Sequence, residues 1–279
     1  MNKPTCLRSN HLSLALICVA ALASSNARAW NEQCAGYSNA GAVQSALTNA
    51  VNQIAALKSG GLGNNMWATV VDATGVVCLV VNTGGGPAAI ESIWLGSRVI
   101  SAQKANTANA FSLSLGSQGT AIALSTANLY TAVQPGGSLY GLQASNPVDT
   151  SVAYEGPSSN YGAGTEDPLV GKRIGGINVF GGGLAIYDPK GHRIGAIGVS
   201  GDTSCTDHAV AWETRHALGL DYVPGGVSPA DDDNIIYDIT PQAGQMPGIS
   251  TSGFGHPHCL NASEENAVLS ALPSVRKPS

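Results

Sequence analysis

Charged residues are scarce in this sequence of 279 residues. Lysine, arginine, aspartate and glutamate together make up 11%, against about 25% in an average protein. A nucleic-acid partner is unexpected, because phosphate binding needs a cationic face and the formal net charge is −5. With 43% hydrophobic residues and so few charges, the chain is not a disordered tail. We expect a globular protein with a sizeable core.

Long apolar runs are also missing. The run at residues 12–23 is too short to span a bilayer. It follows the basic residues Lys3 and Arg8 and precedes Asn26-Ala27-Arg28-Ala29, whose small residues suit signal peptidase. Residues 1–29 are therefore predicted to be a signal peptide. Its removal takes away three basic residues and no acid, which lowers the net charge from −5 to −8. We expect a periplasmic or secreted protein without a membrane span.

Only four cysteines follow the predicted signal peptide. An even number of cysteines in an exported protein predicts two disulfides. Three pairings are possible, and the sequence does not choose between them. A bond from Cys34 or Cys205 to Cys259 would tie down the C-terminal part of the chain. The four candidates are Cys34, Cys78, Cys205 and Cys259.

Hydrophobic periodicity predicts helices and two hairpins. Apolar residues recur at helical spacing in four segments: 41–58, 90–111, 205–218 and a short candidate at 263–272. Short β-branched runs form two hairpins: 66–72 with 76–82, and 184–188 with 193–199. This order suits an antiparallel sheet flanked by helices.

The segments outside these helices and hairpins indicate the domain organisation. Residues 114–183 are rich in glycine, serine and asparagine and have little periodicity, which is typical of a functional loop. We predict three regions: a signal peptide at 1–29, one domain at 30–220 with a long insert at 114–174, and a loop-rich C-terminal extension at 221–279.

Four motifs resemble one known family. The segment Gly195-Ala196-Ile197-Gly198-Val199-Ser200-Gly201, followed by Asp207, is similar to the signature of the GlcG/HbpS-like haem-binding proteins. Three further stretches agree with the family: Val71-Asp72-Ala73-Thr74-Gly75, Lys104-Ala105-Asn106-Thr107-Ala108 and Gly175-Gly176. The resemblance covers about residues 38–218.

The resemblance implies a fold, a cofactor and an assembly. The fold is α+β in α/β/α layers, a five-stranded antiparallel sheet flanked by helices in a profilin-like arrangement. The implied cofactor is haem, and the related C-terminal domain of PduO-type cobalamin adenosyltransferases also binds a tetrapyrrole. Members tend to form homo-oligomers. We therefore expect an exported haem-binding protein, with iron or redox handling as its wider role.

One stripe of the helix at 205–218 carries the parts that a haem site needs. At 100° per residue, His208, Trp212 and Arg215 lie together, opposite Val210. They offer an axial iron ligand, a flat apolar contact and a cation for a propionate. An oligomer interface is the alternative, because such interfaces also favour tryptophan and arginine.

Two residues of the preceding helix are further candidates. Lys104 and Thr107 lie one turn apart among small residues, where Lys104 would meet a propionate. The alternative is a lysine that extends its amine to solvent. Asp207 is interpreted as part of a capping box with Ser204 rather than as a ligand.

The C-terminal extension contains two polar motifs. The histidines of His256-Pro257-His258-Cys259 suit zinc, copper or haem iron, although Cys259 is also a disulfide candidate. Asp231-Asp232-Asp233 is typical of a solvated turn.

No catalytic motif stands out in the sequence. It has neither a Gly-x-Ser-x-Gly elbow nor a phosphate-binding loop. An enzyme that acts on a small organic acid or a tetrapyrrole in the same pocket remains the alternative function. A scaffold whose oligomer surface is the function is a third.

Overall fold

The computed structural model describes Cys34, residues 39–116 and residues 122–279. The chain divides into two compact units, Met1–Tyr37 and Ser38–Ser279. The predicted signal peptide lies outside the described residues. In the described part of the chain, every helix is too short or too polar to span a bilayer.

A four-stranded antiparallel sheet lies at the centre of the Ser38–Ser279 unit. The strands are β1 (Trp67–Asp72), β2 (Val77–Asn82), β3 (Gly183–Tyr187) and β4 (Arg193–Ser200). Their order in the sheet is β2-β1-β4-β3. Both predicted hairpins are confirmed, and they join where β1 pairs with β4, with Thr69 opposite Gly198.

The expectation of five strands is wrong: the central sheet has four in the described residues. Segments without regular secondary structure form hydrogen bonds with the two edge strands, β2 and β3, instead. Along β2, the amide of Val77 donates to the carbonyl of Lys172 at 2.9 Å. Along β3, the amide of Tyr187 donates to the carbonyl of Leu220 at 2.8 Å. Edge backbone groups therefore find partners without a fifth strand.

Helices flank the sheet. Every residue of β1, β2 and β3 is buried, so both faces of these strands are covered. The flanking helices are α1 (Ala40–Ala56), α2 (Gly96–Ala110) and α6 (Ser204–Ala217). Helix α2 contacts β1, β3 and β4, while α1 and α6 pack against each other and against the sheet.

The insert and the C-terminal extension consist of short elements joined by loops. The insert contains α3 (Tyr130–Val133), α4 (Leu142–Ser145), α5 (Thr150–Ala153) and two 3-10 turns (Thr126–Leu129 and Ser158–Asn160). The extension contains a hairpin of β5 (Ile239–Gln242) and β6 (Gln245–Ser250), followed by α7 (Ala262–Ala271). Periodicity predicted α7 but not this hairpin.

The cysteine prediction is confirmed. Cys205 is bonded to Cys259, which ties the C-terminal extension to the first turn of α6. Cys34 and Cys78 are also disulfide-bonded.

Gly198 of the family signature allows α2 to pack directly on β4. A Cβ atom at this position would overlap the carbonyl oxygen of Ser101 and lie 2.5 Å from the amide nitrogen of Ala105. Both are backbone atoms of α2, so the clash is not relieved by turning a side chain. Glycine is therefore required here by the close approach of the helix.

We expect Gly198→Ala to lower the free energy of unfolding by about 1–3 kcal/mol, because the helix must move away from the sheet. Gly96→Ala is the matched control, since a Cβ atom there meets nothing within 4 Å. Urea unfolding of both variants measures the difference. Equal stability of the two variants would contradict this role for Gly198.

Candidate functional site

His208, Trp212 and Arg215 lie together on one face of α6. The His208 and Trp212 ring centroids are 6.0 Å apart. The guanidinium carbon of Arg215 lies 4.9 Å from the Trp212 ring centroid. All three side chains are buried. They contact the chain's own C-terminal extension, which supplies a polar partner to each of them.

The partner of Arg215 is Asp233. Two hydrogen bonds of 2.7 Å join the guanidinium to both carboxylate oxygens, and Nη1 also donates to the carbonyl of Ala185 at 2.9 Å. The interpretation of Asp231-Asp232-Asp233 as a solvated turn is therefore wrong for Asp232 and Asp233, which are buried, whereas Asp231 is exposed. Asp233 neutralises the buried guanidinium of Arg215.

Trp212 and His208 are bound by the same extension. Trp212 Nε1 donates to the carbonyl of Pro273 at 2.8 Å. His208 Nε2 accepts from the amide of Ile235 at 3.1 Å, and Asn234 Oδ1 lies at the same distance. Burial lowers the pKa of His208 to about 4, so the imidazole is neutral near pH 7.

The face around His208 does not fit a haem in this arrangement. Its Nδ1 atom is buried without a partner in the described part of the chain, and it offers iron a lone pair only in the tautomer in which Nε2 instead donates to Asn234 Oδ1. The adjoining cavity, however, measures only about 10 Å³ and has room for about one water molecule. A porphyrin reaches His208 only if the C-terminal extension moves away.

Lys104 and Thr107 lie inside the fold, where Lys104 contacts β4 and α6 and Thr107 contacts the segment that precedes β3. Lys104 Nζ donates to Asp207 Oδ2 at 2.7 Å and to the carbonyl of Val199 at 3.0 Å. Thr107 Oγ1 donates to the carbonyl of Gln103 at 2.8 Å and accepts from the amide of Asn178 at 2.9 Å. The lysine does not extend to solvent.

Asp207 is the ion-pair partner of Lys104 and does not form the capping box predicted with Ser204. Burial raises its pKa to about 6, and Lys104 opposes this shift. Burial also lowers the pKa of Lys104, again opposed by the pairing. The N-cap of α6 is Thr203, whose side chain accepts from the amide of Thr206.

A larger cavity of about 320 Å³ lies between α1 and α6, beside the loop that leads into β1. This volume is at the lower end of the range for small-molecule sites. The wall is apolar on both helices, and Lys58, Asp202 and Glu264 contribute charged groups. The apolar lining residues are Val51, Ala55, Met66 and Val210.

Sequence reasoning missed this cavity. Gly60 and Gly63 line it and have φ angles of 71° and 75°. In the sequence, Gly60 and Gly61 indicate only where the first helix ends. Glycines at such positions show where the chain turns, but not that the turn leaves space between two helices.

Most of the residues described above lie in a region that matches a known protein family. The model of the family described as haem degrading protein HbpS-like matches residues 39–215. The match covers more than half of the chain, and the protein therefore belongs to the HbpS-like family of haem-degrading proteins. The predicted family is confirmed, and the membership supports haem as the cofactor.

Two solved structures are similar over part of the chain. The Klebsiella pneumoniae protein ORFY is 24% identical with a TM-score of 0.39, over 64% of this chain and 88% of its own. The PduOC:heme complex is 22% identical with a TM-score of 0.39, over 63% of this chain and 91% of its own. No curated protein matches this sequence.

Proposed function

We propose that this protein is an exported haem-binding protein and that haem occupies the cavity between α1 and α6. The observation that carries the proposal is an apolar cavity of about 320 Å³ whose walls come mainly from the residues that match the HbpS-like family. Export is supported by the signal-peptide pattern and the disulfides. Iron or redox handling is the wider role.

The lining residues suit the parts of a haem. Val51 and Val210 provide apolar contacts for the porphyrin, and Lys58, which is exposed, provides a cation for a propionate. The described lining contains no histidine. Met66 also lines the cavity, and the thioether sulfur of methionine is a known ligand of haem iron.

We expect Ala55→Trp to weaken hemin binding at least tenfold, because the indole fills the cavity. Ala56→Trp is the matched control: both alanines are exposed on α1, but Ala56 does not line the cavity. Titration of the purified variants, followed by the Soret band, measures the affinities. Equal hemin affinity in the two variants would place the haem elsewhere.

The axial ligand is tested by spectra of the same complexes. Met66→Leu should shift the Soret band, whereas His208→Ala should leave it unchanged. If His208→Ala shifted the Soret band and Met66→Leu did not, His208 would be the iron ligand. The C-terminal extension would then have to move away from α6. A hemin titration without any saturable Soret shift would refute haem binding itself.

A further inference from the structure

A third group of side chains lies beside the disulfide at the start of α6. Ligand atoms of Cys205, His256 and Cys259 all lie within 4.8 Å of one another. The ligand atoms of a tetrahedral zinc ion with Zn–S bonds of about 2.3 Å are roughly 3.5–3.8 Å apart. Small side-chain rotations therefore suffice to bring the three atoms onto one ion once the sulfur atoms are no longer bonded to each other.

His256 is already oriented as a metal ligand. Its ring is buried, and Nδ1 donates to the carbonyl of Pro257 at 2.7 Å. This bond leaves Nε2 unprotonated and facing Ser204, whose Oγ atom lies within hydrogen-bond distance, 3.3 Å, of both Nε2 and the sulfur of Cys259. Metal-binding histidines commonly use their second ring nitrogen in this way. The ring also packs against Tyr130, with centroids 5.0 Å apart.

The backbone around both cysteines is held by contacts that do not need the S–S bond. The Glu265 carboxylate accepts from the amides of Cys259, Leu260 and Asn261, at 2.8 to 3.2 Å. The amide of Cys205 points at the sulfur of Cys259 at 3.2 Å, in the first turn of the 14-residue helix α6. An amide donor and a helix N-terminus both stabilise a thiolate.

We propose that reduction of the Cys205–Cys259 disulfide by a dithiol creates a Zn²⁺ site. The S–S bond breaks as the dithiol supplies two electrons and two protons and itself becomes a disulfide. Zinc then binds the two sulfur atoms and His256 Nε2, and the two thiol protons pass to solvent. Three protein ligands leave the fourth position of a tetrahedral ion to water. The C-terminal extension is thus joined to α6 either by a covalent bond or by a metal ion.

The test uses the full chain, reduced with a dithiol and freed from it without oxygen, and Co²⁺ as the probe. We expect one equivalent of Co²⁺ to give a thiolate-to-cobalt charge-transfer band that Zn²⁺ abolishes by displacement. The oxidised protein should show no such band. Reduced protein that gives no band with one equivalent of Co²⁺ would overturn the proposal.

Matched variants assign the ligands. His256→Ala should weaken Co²⁺ binding at least tenfold, whereas His258→Ala should not, because His258 is paired with Glu265 instead. Cys259→Ser should abolish the band, and Cys78→Ser should retain it. Non-reducing thiol counting of the His256→Ala protein confirms that its disulfide still forms and that the chain has folded. Undiminished Co²⁺ binding by folded His256→Ala would contradict the site.

Discussion

Asp233→Ala is expected to lower the free energy of unfolding by about 3–5 kcal/mol, the loss typical of a broken buried ion pair. Both side chains of the Arg215–Asp233 pair are fully buried. Removal of the carboxylate leaves the guanidinium without its counter-charge in a site that excludes water. The loss should also loosen the C-terminal extension over α6, because Asp233 is one of its anchors. Urea unfolding at neutral pH measures this change.

Asp231→Ala provides the comparison for this variant. Asp231 lies two residues earlier in the same extension, but it is exposed and pairs with Lys277, which is also partly exposed. Exposed ion pairs contribute about 0–1 kcal/mol to the free energy of unfolding. A double variant, Arg215→Met with Asp233→Leu, should recover most of the stability, since apolar residues of similar size need no counter-charge. If Asp233→Ala and Asp231→Ala were equally stable, the buried pair would not anchor the extension.

The stability of the protein should fall by about 3 kcal/mol between about pH 7 and pH 4 through His208 alone. Burial lowers the pKa of His208 from 6.5 to about 4 in the folded chain. As the pH falls below 6.5, the unfolded chain therefore binds a proton that the folded chain does not. Stability present above pH 6.5 is lost as the pH drops towards 4. The charged groups that act on the ring are Asp233, which raises the pKa, and Arg215 and His256, which lower it.

Urea unfolding across this pH range measures the effect in the parent and in His208→Gln. A glutamine does not titrate, and its amide oxygen can accept from Ile235 as the imidazole does. Between pH 7 and pH 4, the free energy of unfolding of the variant should therefore fall by about 3 kcal/mol less than that of the parent. His192→Gln is the control, because the His192 side chain is 57% exposed and beside Asp188. A parallel pH dependence in the parent and in His208→Gln would show that His208 becomes protonated without unfolding the chain.

Local patterns predicted most of the fold. The two hairpins follow from β-branched runs and turn residues, and α1, α6 and α7 follow from apolar spacing, because these signals act between residues only a few positions apart. The helix predicted at 90–111 instead begins at Gly96, after a 3-10 turn at Pro87–Ser92. The β5–β6 hairpin has exposed residues on β5, so it lacks the buried apolar pattern that identifies a strand.

The sequence by itself determined that His208, Trp212 and Arg215 share one face of a helix, because helical geometry depends only on their spacing. Only the tertiary structure decided what covers that face. Asp233 lies 18 residues from Arg215, and Pro273 lies 61 residues from Trp212. No periodic pattern relates positions so far apart, since the path of the intervening chain decides which groups meet. For the same reason, the sequence does not reveal the cavity between α1 and α6, although both helices that border it are predicted.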